Sequence, residues 1–242
     1  MPPLWIPPTD EAVMWFDPSL ASSVTLDPLV TNIVDLSGNG RDGTNAGSGK
    51  PTYSTGVFNG LNALSLAGAQ YLTITSGVVC ATQMTLFSIF RRATSGTTSA
   101  PLGAFVAGAG LSPMYWISNN SAYAHYGSTS VTLSASALSG DFIVTTIING
   151  VEFTVRRNGA LWGYRANAGT RGLPMNSVGR LNSYSHNGLI GEMLASDMLV
   201  DYEKYEGYLA HKWGVTLDAS HPYFASPPYD PFWCTFKGQT EI

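Results

Sequence analysis

The stretch Ile143-Val-Thr-Thr-Ile-Ile-Asn-Gly-Val-Glu-Phe-Thr-Val155 limits the possible folds more than any other. Two runs rich in β-branched residues flank an Asn-Gly pair. Such a pair predicts a type I′ hairpin, because both central residues of that turn need φ > 0. Asn158-Gly159 repeats the device before Ala160-Leu-Trp-Gly-Tyr164, so residues 142–164 read as a three-stranded meander. Gln70-Tyr-Leu-Thr-Ile-Thr75, Met84-Thr-Leu-Phe-Ser-Ile-Phe90 and Met114-Tyr-Trp-Ile117 are further β-branched or aromatic runs bounded by turn residues. One helical pattern stands apart, at about residues 198–213. There Tyr202, Tyr205, Leu209 and Trp213 recur at helical spacing and form one face. Asp197 or Asp201 is placed to cap its start, and Gly214 to end it as the C′ residue.

Composition agrees with many short strands and tight turns. Only 12% of the 242 residues are charged, and 26 are glycine. With no linker dividing the middle, one large β domain is expected. A low-charge surface also suits a protein that sits inside an assembly, where burying charge is costly. The net charge of −4 and the lack of a basic stripe argue against nucleic-acid binding. No run of 18 apolar residues exists to span a membrane as a helix. Met1-Pro-Pro-Leu-Trp-Ile-Pro-Pro8 has neither the basic n-region nor the apolar h-region of a signal peptide. Cys80 and Cys234 are too few for a disulfide framework and read as free thiols.

Two blocks carry a family resemblance. One is Glu206-Gly-Tyr-Leu-Ala-His-Lys-Trp-Gly214 with His221-Pro-Tyr223 and Ser226-Pro-Pro228. The other is Trp15-Phe-Asp17 with Asp35-Leu-Ser-Gly-Asn-Gly-Arg-Asp-Gly-Thr44. Together they resemble the ends of a laminin-G-like domain of the concanavalin A-like lectin/glucanase superfamily, of the type found in tailed-phage virion proteins. The resemblance spans roughly residues 11–228. It implies a two-sheet antiparallel β-sandwich of jelly-roll kind, with six or seven strands per sheet and one C-terminal helix. It says less about function, since that superfamily holds lectins, hydrolases, adhesion modules and virion proteins.

Catalytic signals are thin. Glycoside hydrolysis normally uses two carboxylates flanking the scissile bond. Laminarinase-type members of the superfamily carry them on one strand as Glu-x-Asp-x-x-Glu. The comparable strand here is Gly191-Glu-Met-Leu-Ala-Ser-Asp197, where Leu194 occupies the position of the same-face partner of Glu192. Glu192 therefore reads as structural. His125, His186, His211 and His221 lie in unrelated contexts, and no Gly-x-Ser-x-Gly elbow or metal-binding His or Cys spacing occurs. The loop Asp35–Asp42 looks like half of a calcium loop, but Ala46 stands where a bidentate Glu belongs. It reads as a tight turn, in which Asp35 and Asn39 bond nearby backbone N–H groups. The expectation is a protein that is not an enzyme, with no metal and no cofactor.

Sugar recognition needs an aromatic platform with amides around it. Tyr115, Trp116, Asn119, Asn120, Tyr123 and Tyr126 have that composition at a hairpin end, against the plainer reading of core aromatics around an Asn-Asn turn. Arg180, Asn182, Tyr184 and His186 form a second cluster. The chain divides into an extended Pro-rich arm (1–10), a lectin-like sandwich (11–222) and an aromatic, Pro-rich tail (223–242). The expected setting is a virion, as a capsid decoration or a tail-associated glycan-binding subunit that assembles as a homo-oligomer. The expected partners are other virion proteins, held through both termini, and a host-surface glycan. The tail fits equally a fold-back over its own sandwich. A diverged glucanase-like hydrolase and a soluble bacterial carbohydrate-binding module are the competing readings.

Overall fold

A computed structural model describes residues 4–79, 82–93, 102–103, 111–118, 121–127, 129–133, 140–166, 175–181 and 184–229. Cys80, Cys234 and the tail beyond Tyr229 lie outside the described residues. The fold is an antiparallel β-sandwich with one helix. Its larger sheet runs in the order Ala160–Arg165, Glu152–Arg157, Gly140–Asn149, Gln83–Arg92, Asn187–Ser196, Leu61–Ala67 and Thr52–Phe58. Met14–Phe16 adds an eighth strand beside residues 193–195 of Asn187–Ser196. The facing sheet has six strands, and Leu111–Ser118, Ser121–Gly127 and Thr129–Leu133 form a separate three-stranded ribbon. Among the described residues the two main sheets hold eight and six strands, close to the six or seven expected of each.

The expected meander is present as Gly140–Asn149, Glu152–Arg157 and Ala160–Arg165. One of its turns differs from expectation. Asn149 pairs directly with Glu152, so the two loop residues are Gly150 and Val151, not Asn149 and Gly150. Gly150 carries φ 62° at the first loop position, which is the pattern of a type II′ turn. Asn158-Gly159 does take positive φ at both residues, as a type I′ turn requires.

Period-two alternation builds three layers. Met84, Leu86 and Phe90 point between the sheets, where they meet Val30, Ile33, Leu72, Ile74 and Val178 of the second sheet. Phe87 and Ile89 of the same strand point outward, to the helix. That helix, α1 (Tyr202–Trp213), begins later than its sequence pattern suggested, because the Asp201 side chain accepts from the Lys204 N–H and fixes the N-cap. Gly214 closes it in the left-handed conformation. Tyr205, Leu209 and Trp213 are buried on the outer face of the large sheet, with Phe58 and Leu194. Each such large side chain contributes about 1.5–3 kcal/mol on full burial.

The N-terminal arm, expected to dock on a neighbouring subunit, packs in cis at residues 4 and 5, while Ile6 is exposed. The Trp5 N–H donates to the Pro228 carbonyl, and Leu4 forms a β-bridge with Tyr229. The Trp5 ring meets the rings of Tyr205 and Tyr208 edge to face.

Candidate functional site

The outer layer conceals two buried polar clusters, and the C-terminal block contributes residues to both. A bulge between Ile190 and Met193 turns Glu192 toward the helix. Its carboxylate has no solvent exposure and accepts four hydrogen bonds. Trp15 Nε1 (2.7 Å) and the Tyr208 hydroxyl (3.2 Å) donate to Oε1. Lys212 Nζ (2.7 Å) and Trp213 Nε1 (2.9 Å) donate to Oε2. Lys212 Nζ also reaches Asp17 Oδ2 at 2.5 Å. The other oxygen of Asp17 is held by the backbone N–H and the hydroxyl of Ser19, at 3.0 and 2.6 Å. Burial pushes the Glu192 carboxyl above the usual carboxylate range, and the Asp17 charge adds to this. Burial alone would lower the Lys212 amine, but the two carboxylates outweigh it and hold the ammonium.

The second cluster joins Arg156, Glu206 and His221. Arg156 Nε and Nη2 donate to the two oxygens of Glu206 at 3.0 and 3.1 Å, and His221 Nε2 lies 3.1 Å from Oε2. Burial opposes the Glu206 charge, but His221 and the bidentate Arg156 prevail and lower its pKa. The close approach of the chain after the helix depends on Gly207, since a Cβ there would sit 2.6 Å from the Tyr223 Cβ. The His211 ring meets the Tyr223 carbonyl at 2.8 Å. The residues that carry the family resemblance are therefore the ones that lock helix, sheet and post-helix loop together.

Glu192 is thus enclosed in the outer layer, with its carboxylate held by four donors and closed to solvent. The Asp35 loop is a turn. Asp35 Oδ1 accepts from the Trp15 and Ser37 N–H groups, and Oδ2 from that of Arg41. Asp42 accepts from the Asp35 N–H. His186 is a core histidine: wholly buried, its Nε2 lies 3.2 Å from the Leu189 carbonyl, and burial lowers its pKa to about 4. Arg180 lies over the Tyr71 ring instead, and Asn182 is outside the described residues.

Of the expected sugar platform, Asn119 and Asn120 fall outside the described residues. Backbone register places the other four. Trp116 stands opposite Tyr123, and Tyr123 opposite Thr132. Tyr115 pairs with Ala124 and Tyr126 with Thr129. Those two positions share the ribbon face of Leu133, which is buried in the core, while Trp116 and Tyr123 share the opposite face. Separately, a cleft of about 360 Å³ opens beside the Lys212 cluster, walled by Leu4, Ile6, Leu20 and Leu36 and floored by Trp15, Asp17, Tyr208 and Lys212. Sequence reading did not connect Asp17, Ser19 and Lys212. Trp15-Phe-Asp17 and Lys212-Trp213 lay in the two quoted blocks, but nothing local showed that they meet.

The architecture is a lectin-like antiparallel β-sandwich. No family model matches the sequence, and no curated protein matches it. Solved structures do match. The Trypanosoma rangeli sialidase bound to sialic acid is similar over 88% of this chain and 36% of its own, at 12% identity and TM-score 0.60. The binding domain of Paraclostridial mosquitocidal protein 1 is similar over 88% and 57%, at 10% identity and TM-score 0.59. A structure of botulinum neurotoxin type C, whose passage into cells depends on two ganglioside molecules, is similar over 82% and 50%, at 10% identity and TM-score 0.52. At such identities the likeness establishes the fold, and the chain spans about a third of the sialidase and about half of the toxins. It corrects one expectation. The same sandwich occurs within the chain of an enzyme, so the fold gives no ground for the expectation that this protein is not one.

Proposed function

We propose that this protein is a carbohydrate-recognition module that binds glycan on the ribbon of residues 111–133. The observation that carries the reading is the register that sets Trp116 against Tyr123 on the face away from buried Leu133. Adjacent aromatic positions on one face of the ribbon supply what the apolar side of a sugar ring needs. The similar structures include a sialidase with sialic acid and a toxin that interacts with gangliosides, which supports glycan as the ligand class. The test is binding of the whole chain to free sialic acid, a ganglioside headgroup and neutral glucans. Trp116→Ala and Tyr123→Ala are each expected to weaken binding at least about tenfold, or roughly 1.4 kcal/mol. Unchanged affinity in both variants, or no binding to any glycan, overturns the reading.

We place the module in the virion of a tailed phage, as a capsid decoration or tail-associated subunit that binds a host-surface glycan. The block Glu206–Gly214 and the 12% charge content support this setting. Peptides of this chain in purified particles are the expected result, and their absence counts against it.

A further inference from the structure

We propose that Lys212 and Asp17 condense within the folded chain to an amide bond joining the helix to the residue that follows the strand Met14–Phe16, with Glu192 as the proton carrier. A nucleophile, an electrophile and an acid–base group meet at one point. Lys212 Nζ is 2.5 Å from Asp17 Oδ2 and 2.7 Å from Glu192 Oε2. Attack on a carboxyl carbon needs its second oxygen stabilised as negative charge develops there. Asp17 Oδ1 has that stabilisation in place, from the Ser19 N–H and hydroxyl at 3.0 and 2.6 Å. The indoles of Trp15 and Trp213 donate to Glu192, hold it in position and keep the cluster apolar at its back.

The chemistry balances without a co-reactant. The resting state is an ammonium between two carboxylates. Glu192 takes one ammonium proton and passes it to Asp17 Oδ2, which frees the nitrogen lone pair and makes Asp17 the neutral acid open to attack at Cγ. The N–Cγ bond forms and negative charge collects on Oδ1. The nitrogen then gives up a second proton, through Glu192, to Oδ2, and the Cγ–Oδ2 bond breaks. One water leaves and one N–H remains on the amide. Burial raises the Glu192 carboxyl, which favours its role as carrier. The cleft floored by Asp17 and Lys212 gives the released water an exit. A covalent tie across 195 residues of sequence closes a long loop of the unfolded chain. In loop-closure terms, long loops are where a cross-link restricts that state most.

The test is the intact mass of the purified chain under denaturing conditions. The expected mass is lower than that of the sequence by one water, and a protease digest yields a branched peptide joining Asp17 to Lys212. Lys212→Arg and Glu192→Gln are expected at their full sequence masses. Asp42-Gly43 can lose water by cyclising on its own backbone, so the Lys212→Arg variant is the deciding control. A wild-type chain at full mass overturns the proposal. So does a water deficit that persists in Lys212→Arg, or a branch that maps to Glu192 in place of Asp17.

Discussion

Glu192 and His186 are both fully enclosed, and they meet enclosure in opposite ways. Glu192 keeps a charge partner and four donors, whereas His186 sits at the edge of the Phe90 ring and stays neutral. The histidine leads to a prediction on pH. Unfolded, it takes a proton near pH 6.5; folded, it resists until about pH 4. Between those values the unfolded chain binds more protons, so stability falls as pH falls. At about 1.4 kcal/mol per pH unit the full effect is on the order of 3 kcal/mol. Urea unfolding of wild type from pH 7 to pH 4 is expected to show this loss, and His186→Gln is expected to remove that part of the slope. Equal slopes in the two proteins would place the titration elsewhere. Glu206 adds to the loss at the acid end: its lowered pKa contributes stability that is present above its ordinary value of 4.5 and lost in more acid solution.

At the scale of elements, α1 shows what sequence can and cannot disclose. Its face of Tyr205, Leu209 and Trp213 and its cap at Gly214 were legible, because helical period and capping are local properties. The partners of Glu206 and Lys212 were not. Arg156 lies 50 residues from Glu206, and Asp17 lies 195 from Lys212. Register is equally nonlocal at the Asn149-Gly150 hairpin. Pairing of the long strands Gly140–Asn149 and Gln83–Arg92 moves the turn one residue along, to Gly150-Val151. Gly207 gives the test at this scale. Replacing a helical glycine with alanine normally gains up to about 1 kcal/mol. Here the new Cβ would meet the Tyr223 Cβ at 2.6 Å, which is no flexible chain end. Gly207→Ala is therefore expected to lose about 1–3 kcal/mol from overpacking, read as a lower urea midpoint with unchanged slope. A gain in stability would show that the loop after the helix moves aside freely.

The whole molecule is sheet, sheet and outer layer, and that outer layer is drawn from both ends of the chain. The sandwich was legible in the alternating strands, whereas the route of the arm was not. Four prolines in residues 1–10 predict extension, but extension fits docking on a neighbour as well as on the chain itself. Contacts on the chain itself are made by residues 4 and 5. Trp5 sits 5.0 Å from the Tyr205 ring and 6.2 Å from that of Tyr208, with Lys204 Nζ 4.5 Å from its centroid. Aromatic pairs add about 0.5–1.5 kcal/mol each, and an exposed cation–π contact about 0.5–1 kcal/mol. Together they make Trp5 worth about 1.5–4 kcal/mol to the single chain. Deleting residues 1–8, or Trp5→Ala alone, is thus expected to lower the melting temperature at a protein concentration where only monomer is present. Since the arm packs on the helix, Trp116 and Tyr123 keep their register and glycan affinity should be unchanged. If the shortened chain instead melts like wild type and loses only self-association, the arm belongs to a neighbouring copy and its cis contacts contribute nothing.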